Sequence, residues 1–140
     1  MRQLTITAQI FAVALSAYLP TAAFSEDFMS ADQRKGVFCG KTFDGENVQS
    51  GWTFRTYSHE SCDKITIRYL TGDWAGKTFE RRVTRYPSGE NCVKFEDGKD
   101  RCTKVKDAGN GTYHQYATNG KFNGQHVGTV TNIVEGNKLD

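Results

Sequence analysis

The chain has 140 residues, with 18 Lys and Arg against 16 Asp and Glu, a formal net charge of +2. So even a balance gives no chain-wide electrostatic pull on nucleic acid or an anionic membrane, and such a partner would need a local patch. Aromatic residues make up 12% of the chain, with 14 Gly and only 2 Pro, which suits an all-β domain with many Gly turns and disfavours a helical bundle.

The first residues read as an address. Arg2 precedes an uncharged apolar run over residues 4–18, Pro20 breaks it, and Ala23-Phe24-Ser25 puts small residues where a signal peptidase reads. The pattern predicts a secretory signal peptide over residues 1–25 and a single β-rich domain over residues 26–140. The apolar run is shorter than the roughly 20 residues needed to span a bilayer, and no later stretch is apolar enough. All four cysteines fall in the predicted mature part, and an even count in an exported chain implies two disulfides. There is no Cys-x-x-Cys spacing, so neither a zinc ribbon nor a thioredoxin-type redox pair is indicated.

Ser30-Ala31-Asp32-Gln33 is a capping box, predicting a short helix over about residues 30–38. Gly36 weakens that helix, Cys39-Gly40 ends it, and Met29, Val37 and Phe38 are its expected buried side chains. From Lys41 the signal changes to strands and turns, extending to about residue 134. Asp44-Gly45 reads as a turn, residues 52–57 as a strand with Trp52 and Phe54 on one face, and residues 58–61 as a loop. Residues 65–69 alternate cleanly, with Ile65, Ile67 and Tyr69 inward. Residues 74–86 read as one long strand with a bend at Gly76.

Residues 91–103 carry the sharpest local signal. Two strand-like runs flank Glu96-Asp97-Gly98, and a three-residue hairpin loop needs a left-handed third residue, which Gly98 supplies without steric cost. That loop sets Phe95 against Lys99 and Cys92 against Cys102 on a non-hydrogen-bonded pair. Such pairs have Cα atoms about 4.5 Å apart, within disulfide reach. The hairpin therefore selects Cys92–Cys102 and leaves Cys39–Cys62, each worth about 3 kcal/mol in the chain-entropy model. Residues 107–111 then read as a loop, residues 112–117 as a strand, Asn119-Gly120 as a hairpin turn, and residues 121–134 as the last strands.

About eight candidate strands with frequent turns and no intervening long helices predict an antiparallel meander, curled into a partial or closed barrel and stapled by disulfides. Of the three histidines, His59, His114 and His126, only His59 stands at a ligand-type spacing, His59-x-x-Cys62, which lacks a matching partner pair and whose Cys62 is better used in a disulfide; no Ser sits in a nucleophile-elbow motif, so neither a catalytic group nor a metal or other cofactor is predicted. Arg68, Arg81 and Arg85 with Tyr69 and Tyr86 form the best surface candidate, since Arg beside aromatic rings on a sheet binds anions. Trp52 and Trp74 could line a ligand cup at a barrel mouth. Asn110-Gly111-Thr112 matches a glycosylation sequon, though turn use of Asn-Gly explains it more simply.

Gly40-Lys41-Thr42-Phe43, Gly72-Asp73-Trp74, Gly89-Glu90-Asn91-Cys92, Cys102-Thr103-Lys104-Val105 and Gly109-Asn110-Gly111-Thr112-Tyr113 resemble an uncharacterised family of small exported Gram-negative bacterial proteins. The resemblance implies a β-rich periplasmic protein and no assigned activity. The Cys39, Cys62 pair is not part of that pattern. The expectation is a non-enzymatic, periplasmic or secreted domain that binds a small ligand or a partner protein. The alternative is an inhibitor of a cell-envelope or host enzyme, with the Glu96-Asp97-Gly98-Lys99 loop as its wedge.

Overall fold

Each strand in the chain pairs with the next, and the last returns to the first. A computed structural model describes residues 27–140, so the signal-peptide expectation lies outside the described residues. One helix, α1 (Ala31–Phe38), precedes eight strands: β1 (Lys41–Asn47), β2 (Thr53–Ser58), β3 (Lys64–Tyr69), β4 (Thr78–Arg85), β5 (Asn91–Lys94), β6 (Asp100–Gly109), β7 (Thr112–Ala117) and β8 (His126–Glu135). All pairs are antiparallel, and the β1–β8 pair closes the barrel, leaving no open edge to template aggregation.

Period-two alternation decides which side chains fill the barrel. Phe43, Thr56, Ile67 and Phe79 follow one another across paired strands, as do Val130, Gly45, Phe54 and Tyr69. Gly45 is required there, because a Cβ would sit 2.2 Å from the Phe54 ring. Val105 and Val130 are the most completely buried apolar side chains, at 0% and 1% exposure, each worth roughly 1.5–3 kcal/mol.

The antiparallel path gives the barrel two different ends. At the helix end, Ser30 caps α1 by accepting from the Gln33 amide while the Gln33 side chain accepts from Ser30 N–H, as the sequence predicts. Met29 and Phe38 plug this end against Phe43, Val105 and Val130, and the Met29 amide donates to the Val105 carbonyl. The Cys39–Cys62 disulfide ties the end of α1 to the β2–β3 loop. At the hairpin end, Trp52, Phe54, Tyr69, Trp74 and Phe79 form a continuous network of edge-to-face and tilted ring contacts, centroids 5.1–6.5 Å apart. These rings fill the mouth rather than lining an open cup.

The β5–β6 hairpin follows its sequence reading closely. The Phe95 amide donates to the Lys99 carbonyl, Gly98 adopts φ 79°, and Cys92 and Cys102 are bridged with Cα atoms 4.0 Å apart. Four segments differ from expectation. Asp44-Gly45 is not a turn but the middle of β1, paired with Arg55 and Phe54 on one side and Thr131 and Val130 on the other, because Gly45 lets the Phe54 ring lie over the strand and the Asp44 carboxylate accepts from Arg55 Nε. Residues 74–77 form a loop and β4 starts only at Thr78, because the turn closes with Gly76 N–H donating to the Tyr69 carbonyl. The predicted loop at residues 107–111 shrinks to Asn110-Gly111, both at positive φ, and β6 runs on to Gly109. The connection after β7 is longer than an Asn-Gly hairpin turn, because the Asn119 side chain is drawn to β6, accepting from the Cys102 amide and donating to the Asp100 carbonyl.

Candidate functional site

The predicted arginine–tyrosine face is divided by the barrel wall. Arg68 and Tyr86 are exposed and Arg85 is half-buried, but Arg81 and Tyr69 point inward, at 3% and 7% exposure. The physical reason is alternation: Arg81 shares the inward face of β4 with Phe79 and Val83. Arg81 is therefore no surface ligand group. Its Nε and Nη2 donate to the two Glu96 carboxylate oxygens at 2.9 and 3.0 Å, and its Nη1 donates to the Tyr69 hydroxyl at 3.0 Å. Its guanidinium lies 3.8 Å from the Phe95 ring centroid and 5.0 Å from that of Phe79. Burial opposes its charge, but the Glu96 and Tyr69 bonds outweigh burial and raise its pKa. The same pair, with Arg81 first among the causes, holds the Glu96 carboxyl below its usual value.

These contacts brace the β5–β6 hairpin. Phe95 is sandwiched between Arg81 and Arg101, each guanidinium 3.8 Å from its ring centroid. Asp97 Oδ1 accepts from the Lys99 amide at 2.9 Å and closes the tip. The disulfide locks the strands behind it. Asp97, Gly98 and Lys99 are left exposed on a support held from inside, from the side and covalently. Trp52 and Trp74, half-buried, sit on the neighbouring loops of the same end.

A second buried arginine escaped the sequence reading. Arg34 of α1 enters the helix end at 7% exposure and donates to the carbonyls of Gly89 and Thr103 at 3.1 and 2.6 Å, and to Thr103 Oγ1 at 2.9 Å. Burial, then the nearby Arg85, lowers its pKa to about 10, with Glu90 pulling the other way. It remains protonated at neutral pH. No local signal marks it, since one Arg in a polar helix reads as solvated.

The histidines do not converge on a catalytic group. His59 Nε2 pairs with Thr66 Oγ1 at 2.9 Å, and its ring lies against Tyr57. His114 and His126 stack with centroids 4.2 Å apart on the outer face of β7 and β8, a pairing created by a register shift between Gln115 and Tyr116. Because a carbonyl can only accept, the bond to Gly128 puts the His126 proton on Nε2. Glu90, Cys92 and Cys102 place ligand-type atoms within 4.8 Å of one another, but both sulfurs are consumed by the disulfide.

Among the described residues, two shallow cavities bear on binding. One, of about 410 Å³, lies at the helix end among Gly36, Val37, Lys41, Asn110, Tyr113 and Ile133. The other, of about 250 Å³, is bounded by Asp44, Glu46, Thr53, Phe54, Leu70 and Thr129.

No family model matches the chain, and no curated protein matches it. A solved structure described as a "putative beta-lactamase from Burkholderia vietnamiensis" is similar to it at 20% identity and a TM-score of 0.46, covering 69% of this chain and 95% of that one. A likeness this low carries no argument about chemistry. Among the described residues, no helix is long and apolar enough to cross a membrane. Two disulfides point to an oxidising, non-cytoplasmic compartment.

Proposed function

We propose that this chain is an exported, non-enzymatic binding domain, periplasmic or secreted, that engages a partner protein through the β5–β6 hairpin. The observation behind this reading is the bracing of Phe95 and Glu96 by Arg81, Arg101 and the Cys92–Cys102 bridge. A loop already held in one conformation loses little entropy on docking, so more of its contact energy appears as affinity. A small ligand inside the barrel fits less well, because the interior is occupied by side chains and the mouth by aromatic rings. Inhibition of an envelope or host enzyme is the specific form this would take, with Asp97 to Lys99 entering the partner's cleft.

The test places a photo-crosslinking residue at Lys99 and, as a remote control, at Glu135, in the full chain expressed in its own source cells. A discrete protein adduct from position 99 alone supports the reading. Equal adducts from both positions, or none from position 99, would overturn it. So would turnover of an envelope substrate that a single side-chain change abolishes.

A further inference from the structure

The helix-end cavity is bought at a cost to α1. Gly36 sits within an eight-residue helix, where Gly is roughly 0.5–1 kcal/mol worse than Ala. Packing does not demand it, since a Cβ at Gly36 would meet nothing within 4 Å. Gly36 instead forms part of one wall of the 410 Å³ cleft, facing Tyr113, Ile133 and the Asn110-Gly111 turn. That volume falls in the range of small-molecule sites, about 300–1,000 Å³.

The lining has a definite chemistry. Among the described residues its charged side chain is Lys41, which donates to the Gly36 carbonyl at 2.8 Å and pairs with Glu135 at 3.5 Å. Glu135 is 85% exposed, so an incoming anion can displace it at little cost. Val37 and Ile133 supply apolar surface, while Asn110 and Tyr113 are lining residues whose side chains can hydrogen-bond. Burial, then Asp107, raises the Tyr113 pKa. Among the described residues, no carboxylate lines the cleft itself and Glu135 stands at its edge on Lys41, which disfavours a metal ion or a polyamine.

We infer that this cleft binds a small hydroxylated carboxylate of sugar-acid size, its carboxylate on Lys41 and its hydroxyls on Tyr113 and Asn110. The inference is independent of the hairpin reading, since the two surfaces lie at opposite ends of the barrel. The test is an amide-resolved NMR titration of the oxidised protein with glucuronate and, separately, glucose. Saturable shifts centred on Gly36, Val37, Asn110, Gly111 and Ile133, at least tenfold tighter for glucuronate, are expected. Gly36→Leu should abolish them while leaving the melting temperature unchanged or higher, and Lys41→Gln should weaken glucuronate about tenfold and remove the preference over glucose. Absence of saturable shifts at these residues, equal affinity for glucose, or binding unaltered in a folded Gly36→Leu protein would each overturn it.

Discussion

Both ends of the barrel bury an arginine, and they neutralise it in opposite ways. At the helix end, Arg34 is met by two backbone carbonyls and a hydroxyl, with no ion pair among the described residues, and its pKa falls to about 10. At the hairpin end, Arg81 has a bidentate carboxylate, a phenol and a ring face, and its pKa rises. The helix end therefore holds a charge that burial penalises, one that ties α1 to the Gly89 and Thr103 carbonyls. The hairpin end holds a charge whose partner, Glu96, is 45% exposed and carried on the hairpin itself. One arginine fastens the helix into the barrel, and the other fastens a presented loop to it.

Removing each anchor should separate the two roles. Arg34→Ala should cost the most, about 3–5 kcal/mol in urea unfolding, since the Gly89 and Thr103 carbonyls lose a charged donor inside the structure. A loss under about 1 kcal/mol would show that water replaces the guanidinium and break the comparison. Glu96→Gln should cost about 1–3 kcal/mol, discounted because Glu96 is half exposed. Its effect should also be local, with hydrogen exchange rising in residues 95–101 and not in α1. Uniform exchange would show that the hairpin is not separately braced.

Acid offers a milder probe. Arg81 holds the Glu96 pKa down, so the pair's contribution is full above the unfolded carboxyl value of 4.5 and is lost as pH falls through the depressed folded value. The wild type should therefore lose stability in that window, and Glu96→Gln should lose less. The smallest effect is expected at the histidine stack. Burial, then His126, lowers the His114 pKa below 6.5, so the unfolded chain binds the proton more tightly and stability declines as pH falls below that value. His114→Gln should flatten that shallow slope, and an NMR titration should find the His114 midpoint under 6.5.

What could be read from the sequence follows the range of the interaction. The capping box at Ser30 and the turn at Gly98 are decided within four residues, and both were legible. The all-β meander was legible too, because turn spacing repeats along the chain. Arg81 carried a usable signal, alternation with Phe79 and Val83, but joining residues 74–86 into one strand hid its register. Arg34 and the His114–His126 stack carried none. Arg34 depends on the chain returning at Gly89 and Thr103, and the stack depends on a bulge between two strands. The arginine–tyrosine face was misassembled for the same reason: residue types were visible, but the side of the wall was not.

The two covalent links are arranged in series. Cys39 joins Cys62 across 23 positions and Cys92 joins Cys102 across 10, so the closed rings neither nest nor cross. Every cysteine is thus bonded to its immediate neighbour in the order of appearance. A chain delivered amino-terminus first would present each thiol with its correct mate before a wrong one emerged. An oxidant that simply couples thiols in order of arrival would give the native connectivity, with no isomerase needed to shuffle it.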